Sequence, residues 1–494
     1  MPRIDEPAPI FVGGQWEPAR SKVTREVRNP ATGALLGLAA DCGAEDVDRA
    51  VRAARQAQPA WGKVPGLEKA VALRKVGEAI RHMGKELATL LARETGKPLV
   101  ESMDCIEWVA GCFEYYAEVG RASRGNSIPP VAPHQLNFTI KEPYGVVAAI
   151  VPFNFPLLLM AWKVAPALAA GNAVVCKPPH QNPLSNLMMA RAFELLPPGV
   201  VNVVTGDGPG AGEALLQHPG VDLIAFTGST EVGRHIAAEA GRQLKKVNLE
   251  LGGIDPFIVF ADADLEVAVK AVAWARLLNA GQVCTSSKRI YLVKEIAPEF
   301  TRRLVEYVKT LVVGDPLDGA TDVGPLITAA AVGKVTAQVE RSVAQGARLL
   351  LGGRPLPGPG HFFAPTILDG VRHGSLPTTE EIFGPVISLI GAESADDAIR
   401  MANDSNYGLG AVVYTKSLEL ALRAMENIKA GTFWVNDPLT DNDAGPFGGM
   451  RWSGVGRELG EEGLDAFREA KHVHIDYVQE AKSFWFPNKQ REAK

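Results

Sequence analysis

From Tyr144 onward, short apolar runs alternate with helical segments, and this alternation constrains the fold more than any other feature of the sequence. The runs GVVAAIVP, NAVVCKPP, VVNVVTG and DLIAFTG are rich in β-branched residues, and each ends in proline or glycine. The segments that alternate with them, such as LLLMAWKVAPALAA and EVGRHIAAEAGRQL, are typical of helices. Strands connected through helices lie parallel, so the pattern predicts a doubly wound parallel sheet.

A second series of the same kind follows Asn248, with strand-like runs PFIVF and RIYLV and helical segments LEVAVKAVAWARLL and APEFTRRLVEYVKTL. It predicts a second α/β domain. Between Ala44 and Leu99, apolar residues recur every three or four positions, which predicts two amphipathic helices. The segment 126–141 is rich in proline and turn residues and predicts an excursion strand pair, with which the later run KHVHIDYV can pair.

Length and composition bound the class of protein. A chain of 494 residues with 46% hydrophobic residues is long enough for two or three globular domains. The 51 basic and 56 acidic side chains form no block of like charge, so we expect neither nucleic-acid nor membrane partners. No export signal or membrane span is visible. The five cysteines are scattered without metal-ligand spacing, which favours a reducing cytoplasm and no metal site.

Three polar residues stand where chemistry is possible. Cys284 in LNAGQVCTSS lies in a predicted loop or helix start, where aligned backbone N–H groups lower the pKa of a thiol. Glu250 in VNLELGGIDP ends a predicted strand, and burial there would raise its pKa toward that of a general base. Asn154 stands between two prolines, with an amide able to donate to an oxyanion. Singly, each also fits a plainer interpretation: a packing cysteine, a solvated glutamate or a turn asparagine.

Two glycine-rich turns follow predicted strands. FTGSTEVGRHI places Gly228 and Gly233 around a helix start, where Ser229 and free backbone N–H groups can meet a phosphate. GDGPGAG contributes Gly212 in a similar position. Both differ from the usual G-x-G-x-x-G pattern, and each alone is equally consistent with a simple tight turn.

Together these motifs resemble the aldehyde dehydrogenase superfamily over nearly the whole chain. The matching motifs stand in family order: FVGGQW, NPATG, PFNFP, KPP, FTGSTEVG, LELGG, GQVC, EEIFGPV, NDSNYGL and PFGGMRWSGVGRELG. The 34 positions that separate Glu250 from Cys284 are also similar to the family's spacing. The resemblance implies an NAD(P)-dependent, non-acylating aldehyde dehydrogenase.

For the architecture, the resemblance implies a Rossmann-like dinucleotide-binding domain (1–122 and 144–252) and a catalytic domain (253–452). It adds a small β bridging element (123–143 and 470–494) that in the family pairs between subunits. A homodimer or homotetramer is therefore expected.

For the mechanism, the resemblance implies that Cys284 attacks the aldehyde carbon and that Asn154, with the Cys284 backbone N–H, holds the oxyanion. Hydride then passes to the nicotinamide, and Glu250 deprotonates the water that hydrolyses the thioester. A non-catalytic relative would lack one of these three residues, and all three are present. A CoA-acylating enzyme is the nearer alternative, and the retention of Glu250 counts against it. Lys163 is expected to be structural or electrostatic.

For the cofactor, the resemblance implies one set of residues along a groove. Lys177 would bind the adenosine ribose, Ser229 the pyrophosphate and Glu381 the nicotinamide ribose, while the remaining residues would line the groove: Phe153, His180, Gly212, Gly228, Gly233 and Phe383. His180 stands where NAD-preferring members carry a glutamate. It lacks the carboxylate that grips the ribose hydroxyls and repels a 2′-phosphate, so the choice between NAD and NADP stays open; His180 is alternatively a solvated loop residue.

For the substrate, the resemblance implies an acyl tunnel bounded by Phe155, Leu158, Trp162, Val283, Thr285, Asp441, Phe447 and the stretch 439–444. Trp162 and Phe447 suit an apolar tail or a cation held on ring faces. Acidic side chains near the tunnel would favour an aminoaldehyde, which is a hypothesis. The expected acids are Asp441 and Asp443 at the tunnel mouth and Asp104 and Glu107 on the opposite wall, where Trp108 is also expected. No basic cluster near the expected tunnel indicates a carboxylated substrate, although Arg451 and Lys288 could supply one charge.

Overall fold

A computed structural model describes residues 6–122, 125–482 and 484–486. The first five residues of the predicted dinucleotide-binding domain, and residues 123, 124, 483 and 487–494 of the predicted bridging element, lie outside the described residues. Two large α/β units and two small three-stranded sheets make up the described chain. The predicted fold class, two doubly wound domains with a small β element, is confirmed.

The first large sheet has eight strands, of which the five central ones are parallel. In spatial order the strands are Gly454–Val455, Lys246–Glu250, Leu223–Thr227, Val146–Ile150, Ala173–Lys177, Val201–Val203, Ile10–Val12 and Gln15–Glu17. The chain order reverses between Val146–Ile150 and Leu223–Thr227. A reversal of this kind opens a crevice at the carboxyl ends of the two strands, which is where doubly wound sheets bind ligands.

Helices cover both faces of this sheet and build the N-terminal part. They are Ala44–Lys63, Gly66–His82, Gly84–Thr95, Leu99–Ala122, Pro156–Ala170, Leu184–Met189, Glu213–Gln217, Thr230–Arg242 and Gly460–Asp465, with short 3₁₀ or π turns at Ala190–Leu195 and Gly208–Gly212. The prediction of two helices between Ala44 and Leu99 was wrong, because the second is divided at Met83. Its N–H closes the helix on Ala79, and Gly84, a poor helix former, begins the next one.

The second large sheet has seven strands, all parallel except the first. In spatial order they are Arg348–Leu351, Thr366–Asp369, Val386–Ala392, Ser287–Val293, Asp255–Val259, Gly410–Tyr414 and Thr432–Val435. The helices of this unit are Leu265–Leu277, Ala297–Val308, Ala329–Ala344, Leu376–Thr379, Ala395–Asn403 and Leu418–Asn427, with 3₁₀ turns at Leu278–Gly281 and Arg451–Ser453. Two apolar cores pack against the first sheet and a third against the second. The larger core of the first sheet also includes Leu409 and Phe447, so the two units share packing contacts.

One small sheet contains the predicted excursion. Arg468–Asp476 pairs antiparallel with Gln135–Pro143, which pairs on its other side with Ser127–Ile128. The predicted pairing of the late strand with the excursion is thereby confirmed. The other small sheet consists of Pro7–Ala8, Leu35–Ala40 and Thr24–Arg28.

Within the described residues, no helix is both long enough and apolar enough to cross a membrane. The five cysteines, all within the described ranges, are free thiols. No group of three or more histidine, cysteine, aspartate or glutamate side chains is arranged to hold a metal ion among the residues that are described.

Candidate active site

A tight turn joins the two large sheets and places Glu250 between them. Lys246–Glu250 is the last parallel strand of the first sheet, and Asp255–Val259 begins the second five residues later. The turn needs its glycines, because a Cβ on Gly252 would lie 2.6 Å from Glu381 Oε2 and one on Gly253 would lie 2.7 Å from Asp255 Oδ1. The carboxylate of Glu381 therefore packs directly on the turn that follows Glu250.

Cys284 lies on the loop that enters the strand Ser287–Val293. The preceding 3₁₀ turn contains Asn279 and Ala280 with φ of 49° and 54°, and the N–H of Gln282 closes it on the Asn279 carbonyl at 3.1 Å. Cys284 is partly exposed, whereas the other four cysteines are buried. Of the two settings that the sequence left open, the structure shows the loop, and this loop presents the thiol to a cavity.

Two effects raise the pKa of the Cys284 thiol well above its ordinary value. Burial is the larger and the nearby Glu250 carboxylate the next, while the ammonium of Lys288 acts in the opposite direction. The expectation that backbone N–H groups lower this pKa was therefore wrong. Loss of hydration and a facing negative charge disfavour the thiolate more strongly than the loop favours it.

Glu250 is 2% exposed, and neither carboxylate oxygen has a hydrogen-bond partner among the described residues. The pKa of Glu250 is raised to about 8: burial is the largest cause and the charge of Glu458 adds to it, while Lys163 and the Cys284 thiol act in the opposite direction. The predicted effect of burial on this pKa is confirmed. A carboxyl group that titrates near pH 8 suits a general base.

A buried ion pair lies beside Glu250. The Lys163 ammonium, fully buried, contacts Glu458 Oε1 at 2.6 Å and donates to Thr227 Oγ1 at 2.6 Å. Thr227 is the strand partner of Glu250 in the first sheet. Lys163 therefore acts electrostatically on Glu250, which is one of the two roles, structural or electrostatic, expected for it from the sequence. Glu458 was missed, and its signal was the acidic residue in the GRELG part of the C-terminal motif.

Asn154 is fastened to the loop that carries Cys284. Its Nδ2 donates to the Gln282 carbonyl at 3.0 Å, and Asn279 Nδ2 donates to the Asn154 carbonyl at 3.1 Å. An amide nitrogen carries two hydrogens, so one remains for a ligand. Asn279, which was not predicted from the sequence, holds Asn154 and the loop to each other. The structure thus fixes Asn154 on the loop of Cys284 and brings the Glu250 carboxylate to the Cys284 thiol.

The predicted phosphate end of the groove lies at the crevice of the first sheet. Ser229 caps the helix Thr230–Arg242, accepting from the Val232 N–H at 3.3 Å. A Cβ on Gly228 would lie 2.3 Å from the Phe226 ring, and one on Gly233 would lie 2.3 Å from Leu251. Only glycine allows so close an approach, which leaves the helix N-terminus open to a phosphate.

Lys177 ends the strand Ala173–Lys177, which pairs with Val146–Ile150 at the same edge of the sheet. Its ammonium is 4% exposed and donates to the carbonyls of Pro178 at 3.0 Å and Gly206 at 3.1 Å, and burial lowers its pKa to about 8. A Cβ on Gly212 would lie 3.8 Å from its Cε. This donor suits a ribose hydroxyl, so the residue types at this end fit the adenosine half of a dinucleotide.

His180 is half-buried near a small charge cluster. Burial, then Lys177 and Arg25, lower its pKa. Arg25 contacts Asp41 at 2.7 Å and Asp207 at 2.6 Å, so a cation and two carboxylates share this region. The Arg25 guanidinium favours a 2′-phosphate, whereas the carboxylates of Asp41 and Asp207 oppose it. The residue types in this region therefore fit both NAD and NADP.

The remaining cofactor candidates lie on the side of the crevice that faces the second sheet. The rings of Phe153 and Phe383 meet edge to face at 6.0 Å. Glu381 Oε1 lies 3.1 Å from Lys288 Nζ and 3.4 Å from the Gly253 N–H. This places the predicted ribose carboxylate between the turn after Glu250 and the strand after Cys284.

A cavity of about 610 Å³ contains Cys284 in its wall. All seven predicted tunnel residues line it: Phe155, Leu158, Trp162, Val283, Thr285, Asp441 and Phe447. Trp162 and Phe447 pack together at 4.9 Å between ring centroids. Asp104 and Trp108 line the same cavity, as do Glu101, Asp322, Trp274 and Tyr307, which the sequence did not indicate.

Four charged residues that the sequence offered near the tunnel do not line the cavity. Glu107 turns away and contacts Arg81 at 2.9 Å, and Asp443 lies outside the cavity lining. Arg451 belongs to a separate pocket, where it donates to the Asn403 carbonyl at 2.9 Å. Lys288 lies behind the loop of Cys284, where its partners are protein atoms. No cation that the sequence offered for a carboxylated substrate reaches the tunnel.

The comparisons with known proteins agree with this geometry. The family model described as "Aldehyde dehydrogenase family" matches residues 16–473. Retinal dehydrogenase 2 of Homo sapiens is 41% identical over 477 residues, covering 95% of this chain and 92% of that protein. The NAD-dependent aldehyde dehydrogenase of Sinorhizobium meliloti superposes with a TM-score of 0.95 at 37% identity, covering 98% of this chain and 97% of that one.

An NADP-dependent enzyme of E. coli superposes with a TM-score of 0.93 at 37% identity, covering 96% of this chain and 100% of that one. Solved neighbours therefore include both cofactor types, in agreement with a groove that fits either. The chain belongs to the aldehyde dehydrogenase family and is an aldehyde-oxidising enzyme that uses NAD or NADP.

Proposed function

We propose that this enzyme converts an aldehyde to the carboxylic acid through a covalent intermediate on Cys284. The observation that carries the proposal is the buried Glu250 carboxylate, which is not held by any other carboxylate-binding group among the described residues and lies close enough to the Cys284 thiol for each to shift the pKa of the other. A buried carboxyl group without a hydrogen-bond partner lowers the stability of the fold, so its presence indicates that it binds a ligand. Here the ligand is the water that releases the product.

The first half of the reaction forms the bond between sulfur and carbon. The Cys284 thiol passes its proton to the Glu250 carboxylate, which releases it to solvent before the second half of the reaction, and the sulfur attacks the aldehyde carbon. The Asn154 amide and the Cys284 backbone N–H donate to the oxygen as it becomes negative. When bound, the dinucleotide accepts the hydride that this carbon releases. The carbon is thereby oxidised to a thioester on Cys284.

The second half is hydrolysis. Glu250 takes a proton from a water molecule as the water oxygen attacks the thioester carbon. The bond between carbon and sulfur breaks, the carboxylic acid leaves and the thiol regains its proton. The ion pair of Lys163 and Glu458 shapes this step, because its two charges act on the pKa of Glu250 in opposite directions.

Two substitutions test the chemistry. Cys284→Ala is expected to abolish both dinucleotide reduction and the hydrolysis of an aryl ester, which requires the same acyl-enzyme but no dinucleotide. Glu250→Gln is expected to give one rapid burst of reduced dinucleotide followed by slow turnover, because acylation proceeds and hydrolysis does not. Full steady-state activity in either variant would refute its assigned role. Cys112, which is fully buried, supplies the matched control Cys112→Ala.

We propose further that the cavity selects an aldehyde with a cationic end. Four carboxylates line it, Glu101, Asp104, Asp322 and Asp441, and none forms an ion pair within the described residues. The one cation in the lining, Lys270, is already paired with Glu266 at 3.0 Å. Burial and Asp443 raise the pKa of Asp441 to about 7, as expected for a carboxylate without a counter-ion.

Aromatic rings strengthen this proposal. The cavity walls include Trp108, Trp274 and Tyr307, whose faces attract ammonium groups. Lys97 opposes the proposal, because its ammonium, 3.2 Å from the Phe155 ring centroid, acts on Glu101 and lowers the pKa of that carboxyl group. Glu101 and Asp322 also accept backbone N–H groups. A carboxylated aldehyde would still meet like charges in the cavity, and a hydrocarbon would give Asp441 no counter-ion.

The test compares three aldehydes of equal length that end in an amine, a methyl group or a carboxylate, with each of NAD and NADP. The amine is expected to have the highest kcat/KM. Asp441→Asn should lower kcat/KM about tenfold for the amine alone, since a charge-assisted contact contributes about 1.5 kcal/mol or more. An equal loss for all three aldehydes would contradict a charge-selective cavity.

We propose that the enzyme is a cytoplasmic homo-oligomer. The strand Arg468–Asp476 forms an outer edge of its small sheet, and this sheet exposes Leu136, Ile140 and Ile475. An open strand edge beside exposed apolar side chains is suited to pairing with a second copy. Light scattering is expected to give the mass of a dimer or tetramer, and Ile475→Lys is expected to shift it toward the monomer. The five free thiols suit a reducing compartment.

A further inference from the structure

Lys288 is a buried lysine for which the reaction itself has no role. It is 2% exposed and stands four residues after Cys284. Its ammonium donates to the Cys284 carbonyl at 2.7 Å and the Val283 carbonyl at 2.9 Å, and it contacts Glu381 Oε1 at 3.1 Å. An ammonium has three hydrogens, so all of its donors are satisfied by these three acceptors.

The three acceptors belong to two different parts of the site. Two are carbonyls of the loop that carries the nucleophile. The third is Glu381, which also packs on the Gly252–Gly253 turn directly after Glu250. One ammonium therefore connects the nucleophile loop with the carboxylate that faces the dinucleotide groove.

The charges around Lys288 make this connection sensitive. Glu381 is the ion-pair partner of Lys288. Asp255 is buried, and Lys288 is the charge that most strongly lowers the pKa of Asp255. The thiol of Cys284 faces Lys288, Glu250 and Asp255, and of these three only Lys288 favours the thiolate. The positive charge available to the thiol thus depends on how far Glu381 and Asp255 neutralise it.

We propose that Lys288 is a positioning residue that sets two properties at once: the orientation of Glu381 toward the cofactor ribose and the ease with which Cys284 forms its thiolate. The proposal rests on the roles assigned above to Cys284 and Glu381. It assigns the ammonium no contact with substrate. Its effect passes through the loop carbonyls and the Glu381 carboxylate.

The experiment measures two quantities that do not require turnover. The first is the rate of Cys284 alkylation by iodoacetamide as a function of pH, without dinucleotide. The second is the Kd of reduced dinucleotide, measured by fluorescence. Lys288→Met is expected to move the alkylation profile about one unit toward higher pH, which is about a tenfold loss of rate at fixed pH, and to weaken dinucleotide binding.

Glu381→Gln provides the decisive second variant, because it acts with opposite sign on the thiol. It removes the charge that neutralises Lys288, so the alkylation profile is expected to move toward lower pH while dinucleotide binding weakens. Damage to folding would not produce shifts of opposite sign in the two variants. Lys288→Arg keeps the charge and is expected to restore most of the wild-type profile.

The two dinucleotide-binding losses are expected to be less than multiplicative in the double variant, since both substitutions break the same contact. Lys294→Met is the matched control, because Lys294 lies just after the same strand and contacts Glu393 on the surface at 2.9 Å. Unshifted alkylation in Lys288→Met, or shifts of the same sign in Lys288→Met and Glu381→Gln, would overturn the proposal. Cys284 that resists alkylation in the wild type would instead overturn the proposed function.

Discussion

The pKa of Glu250, about 8, sets a specific pH dependence for the release of the acid product. Only the carboxylate form accepts a proton from water. About a tenth of Glu250 is ionised at pH 7, half at pH 8 and about nine-tenths at pH 9. The rate constant for thioester hydrolysis is therefore expected to rise roughly ninefold from pH 7 to pH 9 and then to level off.

The assay is stopped-flow with an aryl ester, in which the burst of phenol reports acylation and the slow phase reports hydrolysis. Attack by free hydroxide would increase about a hundredfold over the same two pH units without a plateau, since each unit is tenfold in hydroxide. Glu250→Gln is expected to show only that dependence. A wild-type rate that is already level at pH 7 would refute the argument that burial raises the pKa of Glu250.

The same pKa has a consequence for stability. Because the pKa of folded Glu250 lies above its ordinary value of 4.5, the stabilisation from its protonated form is complete below about pH 4.5 and is lost as the pH rises through about 8. By pH 9 the loss in the free energy of unfolding is on the order of 4 to 5 kcal/mol. Glu250→Gln lacks this loss, so its advantage in Tm over the wild type should grow with pH.

Three other predictions concern Asn154, His180 and Glu458. Asn154→Ala is expected to lower kcat about 10² to 10³-fold through loss of an oxyanion donor, with a smaller change in the KM of the aldehyde, as steady-state kinetics will show. His180→Glu is expected to raise the preference for NAD over NADP by about tenfold or more, measured as the ratio of the two kcat/KM values, because a carboxylate accepts from both ribose hydroxyls and repels a 2′-phosphate. Glu458→Gln is expected to lower the free energy of unfolding by about 3 kcal/mol or more and to move the hydrolysis profile of Glu250 toward lower pH, whereas the surface variant Asp465→Asn should change neither.

The sequence predicted the elements of the fold well and their interruptions poorly. The alternation after Tyr144 was sufficient for the parallel sheet, because buried parallel strands are continuously apolar. The break at Met83 was not predicted, because the helical periodicity continues across it. The break depends on packing against later helices. Periodicity reports which face of a helix is buried, not where the axis bends.

The site was predictable where function depends on residue type and spacing. Asn154, Glu250 and Cys284 stand in short motifs, and the structure brings them together. The partners of these residues were less visible, since Lys163 and Glu458 are 295 positions apart in the sequence. The direction of the thiol pKa was also wrong from sequence, because flanking residues show the local backbone but not the loss of hydration or the facing carboxylate.

The structure divides control of the proton between two lysines. The Glu250 carboxylate raises the pKa of the Cys284 thiol, whereas the thiol lowers the pKa of Glu250, so the two groups titrate as a coupled pair. Burial is the largest effect on both and keeps both mostly protonated at neutral pH. Lys163 favours the ionised form of Glu250, and Lys288 favours the ionised form of Cys284. Each lysine is restrained by its own carboxylate, Glu458 or Glu381. If Glu381 binds the cofactor ribose as proposed, the acylation step is expected to respond to the cofactor site through Lys288. The hydrolysis step is expected to respond instead to Glu458, which is buried beside the base.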